Sequence, residues 1–163
     1  MSTSGTIYVH SSPSAVCPHV EWAIAGALQT RADLQWTAQA AAPGQLRAEC
    51  EWSGQPGIAA AVVNALRAWP MLRFEVTEQP SPGLDGERFC FVPGLGLWRA
   101  RTSANGDIVV GEDQLRALAA DARSGETFAH LLDQLLGAAW DEALEPFRRA
   151  SDGAPVTWLH RVG

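Results

Sequence analysis

The densest run of chemically able side chains is HSSPSAVCPHVEW, from His10 to Trp22. It lies where a strand pattern gives way to a helix pattern. A thiol in the first turn of a helix has its thiolate stabilised by the helix dipole. An imidazole nearby can serve as its base. Cys17, with His19 two positions on and His10 across the loop, therefore makes a candidate nucleophile pair, and Cys17, His19 and His10 are the catalytic candidates. The competing reading is packing, since a lone cysteine is among the most buried residue types. Packing is favoured here, because no third group with an orienting role is visible. The same residues read as a zinc site would need about four ligands at paired short spacings. H-x6-C-x-H offers no second pair, so neither a metal nor a cofactor is expected.

Other motifs carry less. The glycines at 83–86 and 94–96 match neither a P-loop, which needs a Lys this chain lacks, nor a dinucleotide fingerprint. Turn geometry accounts for both. Glu142 and Glu145 share a helix face at a spacing of three, and a solvated acidic face explains them better than acid–base catalysis. Arg148 and Arg149 follow them, as suits the negative end of a helix.

The elements that must position these groups follow from periodicity. Thr6–His10 alternates, with Ile7 and Val9 on one face and Tyr8 and His10 on the other, as a strand does. Val16, Val20, Ile24 and Leu28 recur at helical spacing. Residues 34–38 and 46–52 alternate as two further strands. Ile58, Val62, Leu66 and Trp69 trace a second helix, and Leu72–Val76 alternates as a fourth strand. This β-α-β-β-α-β order predicts an α+β fold with a ferredoxin-like N-terminal half over residues 1–80. Both helices should pack on one face of the sheet. The other face, carrying Tyr8, His10, Gln35, Thr37, Arg47, Glu49, Arg73 and Glu75, is left for water, a partner or the rest of the chain.

The turn-rich stretch QPSPGLDG marks the junction with residues 81–163. There the pattern predicts strands at 88–92 and 97–102, an Asn105-Gly106 hairpin into 107–110, and a helix from Glu112. One long helix should run from Phe128 to Ala143 and end or kink at Pro146. Val156–His160 reads as a closing strand. This half is short for an independent domain and should share a core with the first.

Composition excludes several classes. Of 163 residues, 47% are hydrophobic and 18% charged, which suits a folded domain. The net charge is −6, and all 12 basic residues are Arg. Without a basic stripe, nucleic-acid binding is not expected. Three widely spaced cysteines imply no disulfide framework. No apolar run reaches the ~18 residues of a membrane span, and the N-terminus lacks a signal-peptide pattern, so a cytoplasmic protein is expected. Lys-free, Ala- and Arg-rich usage fits a GC-rich bacterial genome.

The strings HSSPSAVCPHVEWA, APGQLRAE, ALRAWPMLRFEVTEQPSPGLDGERF, LGLWRARTSANGDIVVGE, AAWDEALEPFRR and VTWLHRVG together resemble one family, catalogued as domain of unknown function 3145. The resemblance runs from Tyr8 to Gly163. It implies an actinobacterial, cytoplasmic protein and brings no catalytic residues. Through an association with fatty-acid synthesis genes it implies a partner among acyl carrier protein, ketoacyl synthase or acyl-CoA carboxylase.

Three functions follow as expectations. The first is a non-enzymatic interaction or regulatory protein with a protein partner or a homodimer, motivated by the spare polar sheet face and the amphipathic C-terminal helix. The second is a small enzyme using Cys17 and His19 on an acyl or thioester substrate. The third is a small-molecule binding module with its ligand between the sheet and the C-terminal half. The expected binding residues are His10, Cys17, His19, Glu21, Trp22 and Trp98.

Overall fold

Alternation decides the first strand, β1 (Thr3–Pro13), which buries Ile7 and Val9 on one face and turns Tyr8 and His10 to the other. The computed structural model describes residues 1–160. After β1 the chain enters α1 (Cys17–Leu28), whose Pro18 sits in the first turn, where its missing N–H costs little. It then runs through β2 (Thr37–Ala38), β3 (Gln45–Gly54), α2 (Ile58–Leu66) and β4 (Arg73–Glu78). Helix α2 has no capping side chain of its own. Instead the buried carboxylate of Glu78, on β4, accepts from the N–H groups of Gly57 and Ala59, two of the donors that helix end leaves open.

The sheet runs in the order β2-β3-β1-β4, continued by β5 (Gly86–Val92), β6 (Gly96–Thr102) and β7 (Ile108–Val109), with antiparallel neighbours throughout. Strand β8 (Val156–His160) joins the outer edge of β3 in parallel. Strand β2 is shorter than the alternation over 34–38 suggests. Its register against β3 pairs Thr37 with Arg47, so residues 34 and 35 would have to lie along Glu49 and Cys50. That edge is taken by Val156 and Thr157 of β8.

Helices α1 and α2 cover one face. Val20, Ile24, Leu28, Val62 and Leu66 meet Ile7, Val9, Trp52, Phe74 and Val76 in the main core, which Phe89, Phe91 and Leu159 of the second half complete. The opposite face receives the C-terminal helices. The single helix expected over 128–143 is two, α4 (Gly125–Leu135) and α5 (Ala138–Ala150). The break falls at Gly137, whose φ of 77° is left-handed and whose Cα hydrogens face the Trp98 ring, leaving no room for a side chain. Pro146, expected to end or kink the helix, is inside α5. Leu144 of α5 is fully buried against Cys90, Val92 and Trp98 in a second, smaller core. Helix α3 (Glu112–Asp121) and α4 bury no residue completely.

Candidate functional site

Strand register builds the site. Across the face under α5, Glu49 on β3 lies opposite Tyr8 on β1, Tyr8 opposite Glu75 on β4, and Glu75 opposite Cys90 on β5. Period-two alternation puts all four on the same side of the sheet. These are polar positions inside a sheet whose other face is the main core. Helix α5 closes over part of the row and adds Arg148 and Asp141.

Glu75 is the hub. Its carboxylate is buried and faces the His10 Nε2 at 2.6 Å. It accepts from Arg148 Nε at 2.9 Å and from Arg148 Nη2. Arg88 Nη2 donates to it at 3.2 Å and the Cys90 thiol at 3.3 Å. Arg88 and Arg148 also both donate to Asp141. Burial alone would push the Glu75 carboxyl up, but hydrogen bonds from His10 and Arg148 and their charges hold it well below the usual carboxylate range. Arg148 is raised in turn: burial would lower it, and the bonds to Glu75 outweigh that. This cluster is internally satisfied and pins α5 to the sheet.

Beside it opens a cavity of about 560 Å³, floored by Tyr8, His10, Arg47, Glu49 and Glu75 and walled by Arg88, Arg148 and the turn from Ser151 to Ala154. Its volume is in the range of small-molecule sites. Gln39, itself buried, braces the wall by donating to the His10 carbonyl at 2.8 Å and to Ser151 Oγ at 3.2 Å.

Arg47 differs from the other arginines. Only 3% of it is exposed, and among the described residues its one ion pair is to Glu49 at 3.4 Å and its Nη1 has no hydrogen-bond partner. Burial lowers the Arg47 guanidinium and raises the Glu49 carboxyl, with their mutual attraction only partly offsetting this. A buried guanidinium with spare donors is costly, because desolvation of each unmade hydrogen bond is unrecovered.

Of the expected binding residues, His10 alone lines this cavity. Cys17 is buried at the start of α1 and directs its thiol to Ser12 Oγ at 3.6 Å and the Pro13 carbonyl at 3.5 Å. No hydrogen bond joins it to either histidine among the described residues, and burial raises its pKa, the opposite of what a thiolate nucleophile needs. His19 is exposed and packs edge-on against Trp22 at 5.0 Å. Glu21 accepts from Trp36 Nε1 at 2.6 Å, a structural bond. Trp22 is 68% exposed. Trp98 sits on the cavity face but in the second core, where its Nε1 donates to the Leu135 carbonyl and Arg88 lies 5.7 Å over its ring. Alternation had grouped Tyr8, His10, Arg47, Glu49 and Glu75 on one face without marking them as a site. Arg88 and Arg148 carried no such signal, and Arg148 reaches inward to Glu75 rather than only serving the helix end.

No described helix is long and apolar enough to cross a membrane. No curated protein and no solved structure matches the chain. A family model does, over residues 6–161, which takes in every cavity residue named above. The chain belongs to the family described as Protein of unknown function (DUF3145).

Proposed function

We propose that the protein is a cytoplasmic, non-enzymatic binding module that holds a small molecule between the sheet and α5. The observation that carries this reading is Arg47, a buried cation among the residues lining the cavity, whose Nη1 has no hydrogen-bond partner among the described residues. Folding alone gives no reason to keep it there, since a neutral side chain of similar size would cost less. The cavity is walled by a fixed ion cluster on one side and a braced turn on the other, so it is largely preformed, as ligand sites are.

The test uses a cavity-filled variant. Ala154→Trp places an indole at the mouth, away from the core. Wild-type protein and this variant are incubated with a deproteinised bacterial extract, separated from unbound solutes by gel filtration, and examined by native mass spectrometry. Wild type is expected to retain a small molecule that the variant does not. Equal retention, or none by wild type, would refute the reading.

A second reading is a regulatory protein acting through a protein partner, the partner class implied by family resemblance being fatty-acid synthesis machinery. It is favoured by two exposed tryptophans, Trp22 at 68% and Trp158 at 63%, the residue type most enriched at binding hot spots. Replacing both with Ser should abolish capture of any stoichiometric partner; unchanged capture would count against this surface.

A further inference from the structure

We infer that the outer face of α1 and α2 is where a second copy of this chain docks. That face lies across the sheet from the cavity and owes nothing to it. Surface helices of soluble proteins turn charged residues outward, and a helix that is apolar all round is a buried one. The 12 residues of α1 include one charge, Glu21, which accepts from Trp36 Nε1. The 9 residues of α2 include none, and Arg67 follows it. The exposed positions are instead His19, Trp22 and Gly26 on α1, with Ala61, Asn64 and Ala68 on and just past α2. Trp22 is 68% exposed, and Met71 is exposed as well. A single exposed hydrophobic needs no partner, but these form a cluster. The His19 ring meets Trp22 at 5.0 Å and Trp69 at 5.7 Å.

The face is lopsided in the way a two-fold axis requires. Contact between His19 and Trp69 sets the start of α1 beside the end of α2, so the two helices are antiparallel. His19, Trp22, Trp69 and Met71 make that end bulky. The other end is small, with Gly26 near the end of α1 and Ala61 near the start of α2. A Cβ at Gly26 would find nothing within 4 Å among the described residues. A half-turn sets the bulky end of one copy over the small end of its partner, and the reverse, which is the self-complementarity of an isologous interface. Charge selects the same occupant. The chain carries a net charge of −6, so two copies repel one another over most of their surface. On this face Glu21 and Arg67 cancel, and two copies can approach. A membrane is a poorer occupant, because interfacial helices bring several Lys or Arg to the headgroups and this face brings Arg67 alone.

The test is sedimentation equilibrium of the full chain from about 1 to about 100 µM. Wild type is expected to form a dimer within this range. Gly26→Gln enters open space in its own copy and replaces a poor helix former, so it should not disturb the fold. Trp22→Ala changes a side chain that is mostly in water. Each is expected to raise the dimer dissociation constant about tenfold or more, with an unchanged far-ultraviolet circular dichroism spectrum. Trp158→Ala controls for the general stickiness of an exposed indole. Its neighbour Leu159 is in the main core, so alternation turns Trp158 to the other side of the sheet, and its loss should leave the dimer as it was. A wild type that stays monomeric would overturn the proposal, and cosedimentation of that monomer with phosphatidylcholine vesicles would give the face to a membrane instead. A dimer that Gly26→Gln and Trp22→Ala both leave intact would put the interface on another surface and overturn it too. Neither result bears on the cavity.

Discussion

Glu75 shows how much one side chain organises. It gathers His10, Arg88, Cys90 and Arg148 from two strands and a helix. Removing one member of a buried ion cluster leaves the others uncompensated, so Glu75→Gln is expected to cost about 3 kcal/mol at neutral pH, read by urea unfolding. Its pH dependence has a definite sign. The folded pKa is held below the ordinary value of 4.5, so the stabilisation is present above that value and fades as pH falls below it. Wild type should therefore lose more stability than Glu75→Gln on acidification; parallel losses would show that Glu75 is not the group responsible. Cys17 gives a contrasting expectation. Its buried, raised thiol should react with iodoacetamide more slowly than free cysteine at neutral pH, and a faster rate would revive the nucleophile reading.

Helix α5 is the element that turns a polar sheet face into a site. Alternation in β1, β3 and β4 made the face legible from sequence, because Tyr8, Glu49 and Glu75 interrupt no apolar row. What covers the face was not legible. The partner of Glu75 is Arg148, 73 positions away, and nothing local distinguishes it from Arg149, which pairs with Glu145 at the surface. The position of the helix break was also hidden. Pro146 is the stronger local signal, yet Gly137 breaks the helix because its left-handed backbone and the Trp98 ring beside it are tertiary facts. Gly137→Ala should accordingly cost about 2 kcal/mol or more, from left-handed strain plus overpacking. A change below a few tenths, measured by chemical unfolding, would mean that the α4–α5 junction relaxes freely. Leu144→Ala, at the centre of the second core, should cost about 2–5 kcal/mol and loosen α5 over the cavity.

The whole molecule is one sheet with unequal cover. Its α1–α2 face holds an extensive core, while the α5 face divides into a small apolar cluster and a polar cavity. Helices α3 and α4 bury no residue completely, so they should open most readily. Hydrogen exchange should be fastest there and slowest in β1 and the adjoining stretch of β3; equal protection would show that they are held by something other than this packing. The fold thus leaves a buried donor unmatched at Arg47, among the described residues, and surrounds the buried carboxylate of Glu75 with donors. That asymmetry is the physical basis for proposing a ligand in the cavity. It is tested most directly by the equilibrium unfolding free energy of ligand-free Arg47→Met/Glu49→Gln, which replaces the ion pair with neutral groups of similar size. A double variant as stable as wild type, or more stable by about 1 kcal/mol, is expected from a site kept for binding. A loss of about 2 kcal/mol or more would make Arg47 a structural residue and contradict the account.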